Sequence, residues 1–248
     1  IRRQRQMCIR DRGRPMDISS FPKLEGVLDA IYNPLRTNLI LDAQERGIPA
    51  EGGLYMLSAQ AVYASAVFQS IELDESLIKR AFDSVKSAKQ NIVLVGMPSS
   101  GKTTVGRILA EKCGKELADT DEYIVKEIGM SISDFFAKFG EPEFRRIEKE
   151  TIAELAATGG KVIATGGGAV LDPENVRALK QNGTIVFLDR APENLIATDD
   201  RPLASRRSAL EKLYAERYDI YTAAAELRID ANTTPEAEAD AILKELGE

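Results

Sequence analysis

The sequence contains no histidine among its 248 residues. That absence excludes Ser-His-Asp triads, HExxH metal sites and imidazole general bases. The two cysteines, Cys8 and Cys113, are too few and too unpatterned for a disulfide framework or a zinc site. The chain also lacks an apolar run of membrane-spanning length and a signal-peptide pattern. We therefore expect a protein of the reducing cytoplasm without a membrane partner.

The charge balance and the length of the chain restrict further which class of protein this is. Acidic residues outnumber basic ones by 39 to 33, which argues against a general nucleic-acid binder. An apolar fraction of 44% is ordinary for a globular protein, and the length suits one large domain or two smaller ones. The first fourteen residues differ, with six arginines against one aspartate and no periodicity. Because the chain starts at Ile1, we expect a fragment whose residues 1–20 are a disordered or artefactual tail.

A glycine-rich loop at residues 96–104 is the most informative stretch. Its sequence, G-M-P-S-S-G-K-T-T, fits the pattern GxxxxGK[ST]. The loop follows an apolar run typical of a buried parallel strand and precedes residues with helical spacing. In this arrangement, loop N–H groups and the helix N-terminus face phosphate oxygens. We therefore expect nucleotide binding rather than a glycine-rich turn that binds nothing.

From residue 91 onward, strand and helix patterns alternate. Strands are predicted at residues 91–95, 116–118, 161–164, 184–188 and 227–229. Helices are predicted at residues 103–113, as a pair between 121 and 157, and at 173–181, 207–225 and 235–246, the last with Thr234 as its N-cap. The alternation predicts an α/β fold with a parallel sheet between helices, and ligands at the carboxyl ends of its strands.

Two aspartates, Asp119 and Asp121, follow the second predicted strand in the sequence D-T-D. Two residues apart on an extended segment, their side chains point to the same side, where the phosphate loop opens. One carboxylate can help to hold Mg²⁺, and the other can accept a hydrogen bond from an attacking hydroxyl. The alternative is that Asp121 is a helix N-cap, and both functions are compatible.

Three arginines are candidates for contacts with anionic groups. Arg145 and Glu148 are three residues apart on a predicted helix, as in an ordinary surface salt bridge. Alternatively, Glu148 orients Arg145 toward a carboxylate substrate. Arg201 lies in a polar connection typical of a lid, where its charge would reach the transferring phosphoryl group. Arg217 lies on the following helix, and each arginine taken singly also fits a solvated surface position.

Three consecutive glycines at residues 166–168 end the third predicted strand. Such a run costs backbone entropy, so an ordinary loop would rarely use it. At the edge of a crevice, however, glycines let a ligand approach the main chain closely.

Together these motifs resemble the shikimate kinase family over nearly all of residues 90–248. The motifs that carry the likeness are G-M-P-S-S-G-K-T-T, D-T-D, F-R-R-I-E, T-G-G-G-A-V, R-P-L and E-R-x-x-x-Y, in that order. The resemblance implies a P-loop kinase fold with a five-stranded parallel sheet. It also implies that ATP, with Mg²⁺, phosphorylates shikimate on the route to chorismate and aromatic amino acids, and that the kinase domain is monomeric.

The resemblance further implies roles for individual residues. ATP binding would fall to Ser99, Ser100, Gly101, Lys102, Thr103, Thr104 and Arg201. Mg²⁺ would be held by Thr103 and Asp119. Shikimate would be bound by Asp121, Arg145, Gly167 and Arg217. The catalytic roles would fall to Lys102, Asp121 and Arg201. The chain departs from the family at residues 195–200, which lack the basic residue that often lies against adenine.

Residues 21–88 are predicted to be a small, mostly helical segment. Its patterns predict a strand at 27–31, helices at 37–45, 54–69 and from an N-cap at Asp74, and a polar linker at 86–90. The stretches D-A-I-Y-N-P-L with Thr37, and G-L-Y-M-L with Gln60, resemble the C-terminal end of shikimate dehydrogenase, where Gln60 would lie beside the substrate. Because the chain lacks GxGxxG and a catalytic Lys–Asp pair, we expect a remnant that cannot turn over alone, or a segment with only a packing role.

Two further functions fit parts of the sequence. A kinase of another small polyol acid, such as gluconate, would share the phosphate loop. An inactive module is the other alternative, in which residues 21–88 dock a separate dehydrogenase domain.

Overall fold

The computed structural model describes residues 16–195 and 207–247, with only the backbone at residues 207–209. The chain divides into two compact units, and the division falls between Gln90 and Asn91, apart from Lys180–Asn182, which group with the first unit. Among the described residues, no helix combines the length and the apolar composition needed to cross a lipid bilayer.

In its described part, the smaller unit contains three α-helices and a two-stranded parallel sheet. The helices are α1 (Asn38–Glu45), α2 (Leu54–Gln69) and α3 (Ser76–Lys89), and the strands are β1 (Val27–Leu28) and β2 (Ala50–Glu51). Its core consists of Ile18, Val27, Ile40 and Ala43, with partly buried apolar neighbours.

Three expectations for the smaller unit were wrong. The expected disordered tail does not extend to residue 20, because Ile18 is buried in the core of this unit. Of the strand predicted at residues 27–31, only residues 27–28 form a strand, β1, and β2 was not predicted. The predicted polar linker at 86–90 is mostly the last turn of α3. Lys86 and Lys89 lie in that turn, where their positive charges stabilise the carboxyl end of a helix.

In its described part, the larger unit is built on a five-stranded parallel sheet, as predicted. Its strands are β3 (Asn91–Val95), β4 (Glu116–Asp119), β5 (Lys161–Ala164), β6 (Gly183–Asp189) and β7 (Leu227–Asp230). They are ordered β4-β5-β3-β6-β7, and every neighbouring pair is parallel. The central strand β3 is buried along its whole length, which explains its continuous apolar sequence.

Helices cover both faces of this sheet. They are α4 (Lys102–Cys113), α5 (Thr120–Ile128), α6 (Ile132–Phe139), α7 (Glu141–Ala157), α8 (Pro173–Asn182), α9 (Arg207–Ala224) and α10 (Pro235–Leu246). Val93 and Val95 belong to the core shared with α7 and α9, whereas Ile92 and Leu94 belong to the core shared with α4 and α10. Successive residues of β3 thus alternate between the two cores, because side chains along a strand point to opposite faces in turn.

The region between β4 and β5 contains three helices, α5, α6 and α7, instead of the predicted pair. The breaks fall at Gly129 and Gly140, whose φ angles of 68° and 81° are accessible to glycine at little cost. The predicted start of the last helix is confirmed: Thr234 caps α10 by accepting a hydrogen bond from the Ala237 N–H, and Pro235 is the first helical residue.

Candidate active site

The phosphate loop lies between the end of β3 and the start of α4. Gly96 and Gly101 have φ angles of 150° and 93°, and Ser99 also has a positive φ of 64°. These left-handed positions curl the loop around the N-terminus of α4, so that its peptide groups follow a tight arc. The glycines in the motif thus serve a backbone conformation that other residues rarely adopt.

Lys102 is folded back into this arc. Its Nζ donates hydrogen bonds to the carbonyl oxygens of Gly96 at 3.0 Å and Met97 at 2.8 Å. Only 7% of the residue is exposed. The ammonium group therefore lies at the centre of the loop, where an anion approaching the loop would meet it.

Thr103 and Asp119 are joined at the base of the loop. The Thr103 hydroxyl donates to Asp119 Oδ2 at 2.6 Å, and Asp119 Oδ1 accepts the Asp121 N–H at 3.0 Å. Asp119 is therefore the N-cap of α5, and Asp121 lies within its first turn. The expectation that both aspartates lie on an extended segment was wrong, because the helix already begins at Thr120. The alternative that Asp121 is the N-cap was also wrong, because Asp119 ends β4 and caps the helix.

The glycine turn, residues 166–168, gathers the candidate substrate groups. The Gly166 N–H donates to the Thr120 hydroxyl at 2.9 Å. A Cβ built on Gly166 would lie 2.8 Å from Asp121 Oδ1 and 3.0 Å from Glu148 Oε1. Two carboxylates thus approach the backbone closely here, and a larger residue at position 166 would require the Asp121 carboxylate to shift.

Arg145 lies against the other end of this turn. A Cβ on Gly168 would come within 2.2 Å of Arg145 Nη1. The same nitrogen donates to Glu148 Oε2 at 2.7 Å, while Nε and Nη2 donate to Glu141 Oε1 at 3.2 and 2.9 Å. Glu148 thus holds Arg145 in place, as the second interpretation of the F-R-R-I-E motif expected. The fork is not left free as that interpretation expected, because Glu141 accepts from its Nε and Nη2.

The Arg145–Glu148 pair is not an ordinary surface pair, because Glu148 is only 1% exposed. Burial raises the pKa of Glu148, and Asp121 raises it further, while Arg145 and Arg217 lower it. Burial alone would lower the pKa of Arg145, but Glu148 and Glu141 raise it above its ordinary value. These mutual effects place both carboxylates and both guanidinium groups in one electrostatic cluster.

Arg217 reaches the middle of the glycine turn from α9. Its Nη1 donates to the Gly167 carbonyl oxygen at 2.9 Å, and the Tyr221 hydroxyl donates to the same oxygen at 2.5 Å. A Cβ on Gly167 would lie 2.9 Å from Cδ of Pro98, which belongs to the phosphate loop. The glycine turn therefore connects the phosphate loop to the cluster of charged groups.

The sequence-predicted residues fall into two groups around this point. The predicted ATP-binding residues within the described parts lie in the loop or the first turn of α4: Ser99, Ser100, Gly101, Lys102, Thr103 and Thr104. The predicted substrate-binding residues lie in or beside the glycine turn: Gly167 within it, and Asp121, Arg145 and Arg217 around it. Arg201 and most of the departing stretch, residues 196–200, lie outside the described residues.

Sequence reasoning missed the contacts made by Pro98, Thr120 and Tyr221. All three lie inside recognised motifs, Tyr221 as the last residue of E-R-x-x-x-Y, but a motif does not reveal what each of its residues touches. For Tyr221 a further signal existed, because it is four residues after Arg217 and so shares its helix face.

The fold and site together define a P-loop phosphotransferase: a phosphate loop after the central parallel strand opens beside carboxylate and guanidinium groups suited to a small polar acid. More narrowly, the chain belongs to the shikimate kinase family, whose model matches residues 98–247. It is a kinase.

Named relatives agree with this placement. The shikimate kinase of Symbiobacterium thermophilum is 45% identical over 148 residues, which cover 56% of this chain and 85% of that protein. The shikimate kinase of Thermodesulfovibrio yellowstonii is 42% identical over 165 residues, covering 63% and 94%. The structure of shikimate kinase from Acinetobacter baumannii in complex with shikimate superposes with a TM-score of 0.62 at 35% identity, covering 66% and 96%.

Proposed function

We propose that this chain transfers the γ-phosphoryl group of ATP to the 3-hydroxyl of shikimate. The observation that carries the proposal is the gathering of Asp121, Arg145 and Arg217 around one glycine turn that also contacts the phosphate loop. A small polyol acid needs carboxylates to accept hydrogen bonds from its hydroxyls and guanidinium groups for its carboxylate. This site supplies both types of group beside the ATP cradle.

Arg145 and Arg217 bind the substrate carboxylate in this proposal, and Asp121 accepts a hydrogen bond from the attacking hydroxyl. Lys102 leaves its loop carbonyls for the outer phosphates, where it offsets the charge that develops during transfer. Phosphoryl transfer depends more on positioning and charge compensation than on a strong base, so a site without histidine suits the reaction.

Thr103 and Asp119 fit a magnesium ion that is bound together with the nucleotide. Mg²⁺ prefers six oxygen ligands and usually takes several of them from water and substrate phosphates. The Thr103 hydroxyl and the Asp119 carboxylate supply oxygens at the base of the phosphate loop, 2.6 Å apart. When bound, the ion would neutralise charge on the phosphates.

The proposed reaction is tested by supplying the whole chain with Mg-ATP and either shikimate or gluconate. We expect ADP release and a phosphorylated product with shikimate, and at least about 10²-fold lower kcat/KM with gluconate, because a site built on matched polar contacts rejects poorly matched analogues. Equal turnover of both acids would favour the gluconate alternative. No turnover of either would favour the inactive module.

Thr103→Val tests the magnesium assignment. The change keeps the side-chain shape but removes the hydroxyl that donates to Asp119. We expect the Mg²⁺ concentration for half-maximal activity to rise about 10–100-fold, the usual effect of disturbing a metal site, with little change in the KM for shikimate. Thr222→Val, which removes an exposed hydroxyl on α9 bonded to the Tyr218 carbonyl, is the matched control. An unchanged Mg²⁺ requirement in Thr103→Val would remove this residue from the metal site.

For residues 21–88 we propose a remnant of a shikimate dehydrogenase C-terminal end, joined to a kinase domain at residues 90–248. The resembling stretches form one connected structure, which supports this view. Asp29 accepts a hydrogen bond from the Thr37 hydroxyl at 2.6 Å, and a Cβ on Gly53 would meet the Ala30 carbonyl oxygen at 2.1 Å. The remnant proposal expects no reduction of a nicotinamide cofactor when shikimate is added to the chain. Measurable reduction would contradict it.

A further inference from the structure

We propose that Tyr221 is a positioning residue for the substrate carboxylate: its hydroxyl holds the Gly167 carbonyl and, through that carbonyl, the guanidinium group of Arg217. The inference rests on the proposed function and deepens it. Tyr221 lies outside the groups that would contact ATP or substrate, so it would act only through its neighbours.

The shared acceptor is the basis of this inference. The Gly167 carbonyl oxygen accepts from Arg217 Nη1 at 2.9 Å and from the Tyr221 hydroxyl at 2.5 Å. A carbonyl oxygen has two lone pairs, so these two donors use its full accepting capacity. The direction of the carbonyl and the position of the guanidinium group are therefore set together.

Tyr221 is well suited to be the fixed member of this group. It is 1% exposed, and its ring stacks on Phe187 with a centroid distance of 5.2 Å and an interplanar angle of 19°. Phe187 belongs to β6, which pairs directly with the central strand β3. A tyrosine has only two side-chain torsions, so a ring packed in this way leaves its hydroxyl little freedom.

Arg217, by comparison, has a long and flexible side chain. At four residues before Tyr221 it lies on the same face of α9 and is 8% exposed. Its fork has five N–H donors, so the bond to Gly167 and the interaction with the Tyr221 hydroxyl leave others available for a carboxylate. Because Tyr221 also donates to the Gly167 carbonyl, that carbonyl holds the guanidinium group of Arg217 in a defined position.

The hydrogen bond from Tyr221 also affects Arg145, because Gly168 follows Gly167 directly. A Cβ on Gly168 would lie 2.2 Å from Arg145 Nη1. A rotation of the peptide between Gly167 and Gly168 would therefore move the backbone that Arg145 contacts. Burial raises the pKa of Tyr221 to about 12. The hydroxyl therefore keeps its proton, and its ability to donate, throughout the usual assay range.

Tyr221→Phe tests the proposal, since it removes the hydroxyl and keeps the ring. We expect the KM for shikimate to rise about three- to tenfold, the usual range for one lost hydrogen bond, while kcat and the KM for ATP change less than about twofold. Tyr214→Phe is the matched control, because it removes a hydroxyl from the same helix that donates to Asp189 at 3.0 Å. The control should leave the KM for shikimate unchanged.

A double-mutant cycle with Arg217→Lys separates positioning from general stability. In that background Tyr221→Phe should have less than about half of its effect on shikimate binding, because both residues act through one carbonyl. Full additivity, or equal changes in both KM values, would overturn the proposal. If Tyr221→Phe does not fold, Phe187→Leu decides the question: loss of the stacked ring should also raise the KM for shikimate selectively, and an unchanged KM would overturn it.

Failure of this proposal is distinguishable from failure of the proposed function. If the unaltered chain does not phosphorylate shikimate, the proposed function is wrong. If it does so and the variant behaves like the control, only the role of Tyr221 is wrong.

Discussion

Lys102→Ala is expected to lower kcat by about 10³-fold while the chain remains folded, because the only ammonium group in the described phosphate loop is lost. Groups that offset developing charge in a site sheltered from water typically account for about 10²–10³ in rate. Lys102 is 7% exposed and bonded to the carbonyls of Gly96 and Met97, so it is already at the loop centre. Steady-state kinetics and circular dichroism measure the two parts of the prediction.

Lys112→Ala is the matched control for this experiment. Lys112 lies on the same helix, α4, and its ammonium group pairs with Asp240 at the surface. Surface pairs of this kind contribute at most about 1 kcal/mol to stability, so activity should be unaffected. A Lys102→Ala variant that retained more than about a tenth of the original kcat would contradict the proposed role of Lys102 in charge compensation.

Arg145→Ala is expected to raise the KM for shikimate about 10²-fold and the KM for ATP less than about threefold. Truncating one partner of a buried charged hydrogen bond costs about 2–5 kcal/mol, and about 1.4 kcal/mol corresponds to tenfold in binding. The ion-pair partners of Arg145, Glu141 and Glu148, lie on α7 and not in the phosphate loop, which explains the expected selectivity. Equal effects on both KM values would remove Arg145 from the substrate site.

Arg146→Ala is the natural control, since Arg146 is the next residue of α7 and pairs at the surface with Glu143 and Glu150. Its loss should change neither KM. Arg145→Lys adds a second comparison, because it keeps the charge but loses the planar fork that a carboxylate requires. An intermediate rise in the KM for shikimate is expected for this variant.

The loss of stability caused by Arg145→Ala should depend on pH. Glu148 would lose the cation that lowers its pKa, so the folded-state pKa would rise further above the ordinary 4.5. A carboxyl group with a raised folded-state pKa stabilises the fold below its unfolded pKa and loses that contribution as pH rises through the folded value. The melting-temperature deficit relative to the unaltered chain should therefore shrink as pH falls from 7 toward 4.5.

Local patterns predicted most of the framework. The central strand β3 was found because a buried parallel strand has a nearly continuous apolar sequence. The helix boundary at Thr234 was found because capping is a local interaction between a side chain and a nearby N–H. The pair of helices predicted between residues 121 and 157 contains one break, whereas the structure has two, at Gly129 and Gly140, although glycine is a local stop signal.

The site was predicted less completely, since its contacts join residues far apart in the chain. In D-T-D the sequence suggested Asp121 as the helix cap, whereas in the structure Asp119 caps the helix and also accepts from the Thr103 hydroxyl sixteen residues away. The pairing of Arg145 with Glu148 could be inferred from spacing, but not the burial of Glu148, which makes the pair part of the site.

By itself, the sequence determined the phosphate loop, the alternation of strands and helices, and the residue types able to hold ATP and a small polyol acid. These features depend on interactions within a few residues, which composition and spacing record. Only the tertiary structure decided that Asp121, Arg145, Arg217 and Tyr221 meet at one glycine turn. The physical reason is that the Gly167 carbonyl and its donors are more than forty residues apart in the chain, and only the packing of α9 on the sheet brings them within hydrogen-bond distance.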